Sequence, residues 1–185
     1  MKKVQKNRSP EAILEGRITK IQRNREWKRS LAELIVLLAA LYVVFTYVLG
    51  ITVVNGTSMA PALQEQEVLL FYRLDHQFHP GDVVVFRNEG QIEYVKRIVA
   101  VAGDEVDFDE ENGKLKINGV TAEEAYVYTE THANSDQITF PLNVEAGQVF
   151  VLGDNRENSR DSRDFGCVKV SDITGRALLH VGQIF

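Results

Sequence analysis

The sequence predicts a mostly β domain preceded by one N-terminal transmembrane helix. Two observations predict this arrangement: an uncharged run from Leu34 to Val54, and a change after Val54 from helix-like to strand-like patterning. A chain of 185 residues is long enough for one medium domain, a small appendage and an anchor.

Charge is distributed unevenly along the chain. Residues 1–30 carry ten Lys or Arg and three Asp or Glu, whereas residues 31–185 carry 11 basic and 23 acidic groups. Between these regions, 21 uncharged residues would form a helix about 30 Å long, which matches the hydrocarbon core of a bilayer. Because the basic flank precedes this helix, we expect the N-terminus in the cytoplasm and the acidic part outside.

These features divide the chain into three parts: a basic cytoplasmic segment (1–30), a transmembrane anchor (31–54) and an extracytoplasmic β domain (55–185). A cleavable signal peptide is a weaker interpretation, because the charged region before the apolar run is long and no small-x-small cleavage site follows it closely. A buried core helix is disfavoured, because the uncharged run directly follows a basic block.

The extracytoplasmic part alternates strand-like runs with turn residues. Strands are predicted in "EVLLFYRL", "DVVVFRN", "EGQIEYVKRIVAVAGDEV" and "QVFVLGDN". Two Asn-Gly pairs in "ENGKLKINGVTA" indicate a hairpin, and residues 121–146 are polar and irregular. We therefore expect a small inserted β lobe at about residues 107–146.

Three segments after the anchor carry residues suited to chemistry. They are "GTSMAPAL" (56–63), "YVKRIVAVAGDEV" (94–106) and "GDNRENSRDSRDFG" (153–166). Each has an ordinary structural interpretation when taken alone: a turn serine, an exposed strand lysine and a solvated turn with ion pairs.

Together and in this order, the three segments closely resemble the type I (leader) signal peptidases, membrane-bound Ser-Lys proteases that remove signal peptides from exported proteins. They match the family's Ser-Met-x-Pro motif, its Lys-Arg strand and its Gly-Asp-Asn-Arg-x-x-Ser-x-Asp-Ser-Arg box. The single span and short catalytic part resemble the Gram-positive branch rather than the two-span enzymes.

The resemblance implies that Ser58 is the nucleophile and Lys96 its general base. A serine hydroxyl needs an adjacent base, and lysine is a base only when neutral, a state held by about one lysine in 2,500 at pH 7. Burial lowers a lysine pKa by up to about 3–5 units. In a strand, Tyr94 and Ile98 share a face with Lys96 and give it apolar neighbours, whereas Arg97 points the other way and is expected to be an ordinary surface cation.

The third segment is expected to support the pair. The resemblance implies that the Ser159 hydroxyl orients the Lys96 nitrogen, and that Asp161 and Arg163 form an ion pair that shapes the site. Three further residues are expected to build the turn that brings Ser159 to Lys96: Gly153, Asp154 and Asn155.

Substrate contacts are expected around the nucleophile. Pro61 fixes the backbone after it, and Met59 lines a substrate pocket or packs beneath one. Ala62 stands where the family commonly has Thr, and Gly56 stands where some members have a serine that assists the oxyanion hole, so backbone N–H groups would take that role, Ser58 first. The resemblance implies cleavage after Ala-x-Ala, with the substrate paired to a sheet edge.

The remaining reactive residue types are not assigned a role. Cys167 is the single cysteine and is expected to be buried in the domain, and the four histidines are scattered in the sequence. We expect no metal, no cofactor and no nucleic-acid partner. The expected partners are the signal peptides of exported preproteins and the lipid bilayer of a bacterial cell membrane, with the protein translocation machinery as a further candidate.

Two other functions remain open at this point. A non-catalytic relative of the peptidase could assist assembly of surface structures, but such a protein would be expected to lack the serine or the lysine. A self-cleaving Ser-Lys regulator would share the chemistry, but it would need no membrane anchor.

Overall fold

The computed structural model describes residues 10–88, 92–133 and 138–182. The chain divides into two compact units, Met1–Phe45 and Thr46–Phe185. The first nine residues of the predicted basic segment lie outside the described residues, as do residues 89–91 of a predicted strand and residues 134–137 of the predicted lobe.

The first unit contains a long helix, α1 (Pro10–Val43), and a π-helical turn, Val44–Val48, continues from its end. Within Lys20–Val48, an 18-residue window reaches a mean hydropathy of 2.3, and none of that window is buried. Length and composition therefore make this helical segment a candidate membrane span.

The prediction of an anchor that continues to Val54 is wrong at its C-terminal end. Residues Leu49–Val53 form a strand, β1, paired antiparallel with β2 (Val68–Tyr72). The β-branched run from Ile51 favours an extended backbone. Gly50 also suits the strand, because it lies against the Phe71 ring, where a Cβ atom would not fit. The residues before the predicted nucleophile thus belong to the β domain.

The rest of the second unit is built mainly from short strands. They are β3 (Val83–Arg87), β4 (Glu93–Val101), β5 (Glu105–Asp109), β6 (Lys114–Ile117), β7 (Val120–Thr121), β8 (Leu142–Asn143), β9 (Gln148–Leu152), β10 (Val168–Lys169) and β11 (Ile173–Val181), with one short helix, α2 (Ser162–Phe165). The prediction of a mostly β domain behind an N-terminal apolar helix is confirmed.

Seven strands form the main sheet, in the order β1-β2-β11-β3-β4-β9-β10, and its pairs are antiparallel. The strand β1 is an edge strand, and β4 pairs with β9 only from Arg97 onward, so the start of β4 has a free edge on that side. Thr52 Oγ1 donates to Glu93 Oε2 at 3.2 Å. This contact joins β1 to the start of β4, which shows that the sheet curls.

Apolar clusters on both faces of the sheet form the core. One contains Val54, Met59, Leu69 and Phe71, and it lies beneath the segment that carries Ser58. Another contains Val84, Phe86, Ile98 and Val151. Buried aliphatic side chains on both sides hold β3, β4 and β9 in place, and β4 is the strand that carries Lys96.

A smaller four-stranded sheet, in the order β7-β6-β5-β8, extends over residues 105–143. Its apolar residues share a cluster with the main sheet, in which Val106, Phe108 and Leu115 pack with Phe150 and Leu152 of β9. Through this cluster, the small sheet packs on the strand that leads into the segment 153–166.

Candidate active site

The segment 57–63 presents Ser58 on a tight turn directly after the edge strand. Ala60 N–H donates to the Thr57 carbonyl at 3.1 Å, and Leu63 N–H donates to the Met59 carbonyl at 2.9 Å. Met59 is 1% exposed and packs in the apolar cluster below. The turn is therefore anchored by a buried side chain immediately beside the serine.

Hydrogen bonds from Asn155, in the segment 153–166, also hold this turn in place. The Asn155 backbone N–H donates to the Ser58 carbonyl at 3.0 Å, and its side-chain Nδ2 donates to the Thr57 carbonyl at 3.2 Å. Asn155 thus holds the carbonyl groups of two consecutive residues, Thr57 and Ser58.

Lys96 lies on β4 with its ammonium nitrogen against this serine. Lys96 Nζ is 2.6 Å from Ser58 Oγ and 3.2 Å from the Val95 carbonyl oxygen. The residue is 2% exposed, and its Nζ lies 5.8 Å from the centre of the Tyr94 ring. The two residues that the sequence separates by 38 positions are therefore in hydrogen-bond contact.

Burial lowers the pKa of Lys96 to about 8, because removal from water disfavours the charged ammonium. Asp161 and Asp154 oppose this shift by stabilising the positive charge, and Arg163 assists it. Desolvation is the dominant cause of the shift.

Both nearby aspartates are paired with an arginine. Arg163 contacts both carboxylate oxygens of Asp161 at 2.9 Å, and Arg97 contacts those of Asp154 at 2.8 and 2.7 Å. These arginines offset the carboxylate charge that would otherwise favour a protonated Lys96.

The expectation that Arg97 is an ordinary surface cation is therefore wrong. Its side chain is 15% exposed, and its guanidinium also stacks 4.2 Å from the centre of the Tyr126 ring. Strand alternation correctly directs Arg97 away from Lys96. That alternation could not show that Asp154 and the small lobe cover the opposite face of β4.

The segment 153–166 is held rigidly on β9. Ser162 Oγ accepts from the Val151 N–H at 3.0 Å, and Asp161 Oδ2 accepts from the Gly153 N–H at 3.1 Å. Asp161 also caps α2, since its side chain accepts from the Arg163 N–H, and Asp164 completes the capping box. The predicted Asp161–Arg163 pair is thus present and also initiates the helix.

Ser159 lies at the site. Contrary to the expectation, no hydrogen bond joins its hydroxyl to Lys96. Its Oγ is buried and has no hydrogen-bond partner among the described residues. It lies against the backbone of Gly153, where an added Cβ would overlap the Ser159 hydroxyl and lie 2.5 Å from the Ser58 carbonyl oxygen. The turn 153–155 therefore packs Ser159 next to the Ser58 backbone, and the role of Ser159 in orienting Lys96 stays a prediction.

Arg156 is a site residue with no role predicted from the sequence. It is fully buried, pairs with both Glu124 oxygens at 3.0 and 2.6 Å, and donates to Thr131 Oγ1 at 2.6 Å. Its Nε donates to the Gly153 carbonyl at 3.0 Å. Two of these partners, Glu124 and Thr131, lie in the polar stretch 121–146. That stretch has no hydrophobic periodicity from which the contacts could be predicted.

A groove of about 400 Å³ opens beside the Ser58–Lys96 contact. Its walls come from the edge strand β1 with the residues after it, from the start of β4, and from the segment 153–166. The lining residues are Thr52, Val53, Val54, Asn55, Ser58, Met59, Ile92, Glu93, Tyr94, Val95, Lys96 and Arg160. Among the described residues, β1 and the start of β4 each leave one strand edge unpaired at this groove, and extended peptides bind to such edges.

A family model described as signal peptidase, peptidase S26, matches residues 27–181. The chain belongs to this signal peptidase family. The match includes Ser58, Lys96 and the whole of the segment 153–166, and it begins within α1.

Named signal peptidases are similar over most of the chain. Signal peptidase I of Bacillus caldolyticus is 32% identical over 170 residues, which is 85% of this chain and 90% of that protein. Signal peptidase IB of Staphylococcus aureus is 32% identical over 168 residues, 82% of this chain and 85% of that one. A crystal structure of a signal peptidase I from Enterococcus faecalis is 31% identical, with a TM-score of 0.46, and covers 54% of this chain and 96% of that one.

The predicted resemblance to the Gram-positive type I signal peptidases is confirmed by these matches. The chain is a signal peptidase, a hydrolase whose substrates are preproteins that carry signal peptides. Such peptidases are membrane-associated, and α1 is the candidate span of this one.

Two positions of this signal peptidase depart from common family residues, and the structure gives their setting. Gly56 has a φ of +83°, a conformation that suits glycine better than serine. Ala62, the second position, is half-buried, and the Pro61 before it is exposed and follows a cis peptide bond. Among the described residues, the Ser58 N–H has no backbone acceptor, so it is free to donate to a substrate.

Cys167 lies outside this arrangement. It is half-buried against the cluster around Phe150, and burial raises the pKa of its thiol to about 11, which disfavours the nucleophilic thiolate. Its surroundings fit a packing role.

Proposed function

We propose that this signal peptidase is a membrane-anchored serine endopeptidase in which Ser58 is the nucleophile and neutral Lys96 is the general base. The observation that carries the proposal is the 2.6 Å contact between Lys96 Nζ and Ser58 Oγ, made by a lysine that is 2% exposed. With a pKa of about 8, about one Lys96 in ten is neutral at pH 7.

Acylation begins when Lys96 Nζ takes the Ser58 proton as Oγ attacks the scissile carbonyl carbon. The resulting tetrahedral intermediate collapses, the C–N bond breaks, and the new N-terminal amine receives the proton from the Lys96 ammonium. An ester between Ser58 and the signal peptide remains. Water then attacks this ester with Lys96 again as base, which releases the signal peptide carboxylate and restores the serine.

The negative charge of each tetrahedral intermediate needs a hydrogen-bond donor. The Ser58 N–H supplies one, because it has no backbone acceptor among the described residues. Gly56 precedes this turn without a hydroxyl to contribute, so the oxyanion relies on backbone donors. A preorganised backbone donor of this kind is worth about 2.7–4 kcal/mol in related chemistry.

The substrate would lie in the groove as an extended strand between β1 and the start of β4. Main-chain pairing to these free edges supplies affinity, while side chains alternate between the two walls. Val54, Met59 and Val95 form an apolar floor beside Ser58. Such a floor suits small apolar residues at the first and third positions before the cut, the Ala-x-Ala pattern.

The proposed topology follows from charge and hydropathy. The basic residues at the start of α1 would remain in the cytoplasm, and the β domain would face the outside of a bacterial cell membrane. Signal peptides of exported preproteins would then meet Ser58 next to the lipid bilayer, where the protein translocation machinery would also be in reach. Neither the proposed mechanism nor the proposed topology includes a cofactor.

Cleavage of a preprotein with an Ala-x-Ala site tests the proposal, with detergent-solubilised full-length protein and three variants. Ser58→Ala, Lys96→Ala and Lys96→Arg should each lose activity by at least about 10³-fold, since arginine is always charged and cannot accept the proton. Near-normal cleavage by Lys96→Arg would overturn the neutral-lysine mechanism. A folded parent that cleaves no preprotein would favour the assembly-factor alternative.

A further inference from the structure

Arg160 lies at the mouth of the substrate groove without belonging to the Ser58–Lys96 contact. It stands between Ser159 and Asp161, is exposed, and lines the groove. It also lines an adjoining cavity of about 490 Å³, which shares Tyr94 and Ile92 with the groove. Arg160 therefore borders the path proposed for a bound peptide.

Arg160 has acidic neighbours, since Asp161 follows it in the chain and Asp164 lines the same adjoining cavity. Within residues 10–88, 92–133 and 138–182, it makes no ion pair and no hydrogen bond. By contrast, Glu93, the acidic residue that lines the groove, is already held by Arg87 at 3.0 Å and by Thr52 at 3.2 Å. Among the described residues, the exposed Arg160 therefore brings to the groove a positive charge that no ion pair neutralises.

The two other arginines of the same segment are used internally. Arg156 is buried against Glu124, and Arg163 is buried against Asp161. Both serve the fold, whereas Arg160 is exposed and forms no ion pair with the rest of the described chain.

The walls of the groove indicate which substrate side chain would meet Arg160. On β4, Val95 faces the cluster that contains Val54 and Met59, whereas Tyr94 faces the opposite way and packs 5.9 Å from Phe165, ring centre to ring centre. Arg160 lines the cavity on this second side. In an extended peptide, the first and third side chains before the cut share a face and the second points opposite.

We propose that Arg160 is a specificity-determining residue that binds a negatively charged side chain at the second position before the cut. The proposal rests on the proposed function, since it assumes that small residues at the first and third positions occupy the apolar wall. It predicts that this signal peptidase prefers Ala-Glu-Ala over Ala-Gln-Ala, and prefers both over Ala-Lys-Ala.

The test compares kcat/KM for three preproteins that differ only in this middle residue. An exposed ion pair alters binding by a modest amount, so we expect the parent to prefer Glu over Gln by about two- to fivefold. Arg160→Gln should remove this preference, and Arg160→Glu should reverse the order of Glu and Lys. High salt should weaken the preference of the parent.

Lys169→Gln is the matched control, because Lys169 is also exposed but lines a different cavity, around Cys167 and Asp172. This variant should keep the parent's order of preference. An unchanged order in Arg160→Glu, or an equal change in Lys169→Gln, would overturn the proposal while cleavage of Ala-Gln-Ala still reports the peptidase itself. If the parent cleaves none of the three preproteins, the proposed function fails, and the role of Arg160 fails with it.

Discussion

At the residue scale, the site depends on a balance of charges around Lys96. Desolvation lowers its pKa, and Asp161 and Asp154 raise it again. Asp161 pairs with Arg163, and Asp154 pairs with Arg97, each through both carboxylate oxygens. The buried aspartates favour the charged form of Lys96, and desolvation outweighs them, so the net shift of its pKa is downward.

Gly153 tests how tightly the backbone around Ser58 is packed. The Gly153→Ala change places a Cβ atom against the Ser159 hydroxyl and the Ser58 carbonyl oxygen, so the backbone of the site must shift. We expect a loss of about 1–3 kcal/mol in the free energy of unfolding, measured by urea denaturation, together with a fall in kcat.

Gly182→Ala is the control for this change, because a Cβ atom there would meet nothing within 4 Å. It should leave stability within about 0.5 kcal/mol of the parent. Equal stability and activity in the two variants would show that the contact between Gly153 and Ser159 is looser than the structure indicates.

At the scale of elements, the small sheet and the residues after it support the segment 153–166. Glu124 and Thr131 bind the buried Arg156. The His132 carbonyl accepts a hydrogen bond from Arg163 Nη1 at 3.2 Å. Arg156 in turn donates to the Gly153 carbonyl. The polar stretch that follows β7 is thus joined by hydrogen bonds to the backbone beside Ser58.

Glu124→Ala should therefore destabilise the β domain and impair cleavage. The change leaves the fully buried Arg156 charge without its carboxylate, and loss of one partner of a buried pair costs about 3–5 kcal/mol. Thermal and urea unfolding would measure the loss. Glu123→Ala is the neighbouring control, since Glu123 is exposed, and a similar loss in both variants would contradict this account.

At the scale of the whole molecule, the sequence predicts best those features of the fold and the site that depend on residue type alone. The apolar run, the alternating strands and the three motifs predicted the anchor helix, the β class and the residues that meet at Ser58. The end of the helix was misplaced, because Leu49–Val53 is as apolar as a span and becomes a strand only through pairing with β2.

Long-range pairs account for the other differences. The Arg97–Asp154 and Arg156–Glu124 pairs join residues 57 and 32 positions apart, and no local pattern links them. The surroundings of the Ser159 hydroxyl, which has no hydrogen-bond partner among the described residues, likewise depend on how closely the Gly153 backbone packs against it. These features are set by the assembled fold, so the sequence could name most of the participants but not their contacts.

The measurement that tests the central claim most directly is the pH dependence of single-turnover preprotein cleavage between pH 6 and pH 10, with folding monitored by circular dichroism. A neutral Lys96 base with a pKa of about 8 predicts a rate that rises about tenfold per pH unit below 8 and levels off above it. A flat profile across the whole range, in a protein that stays folded, would contradict the neutral-lysine mechanism.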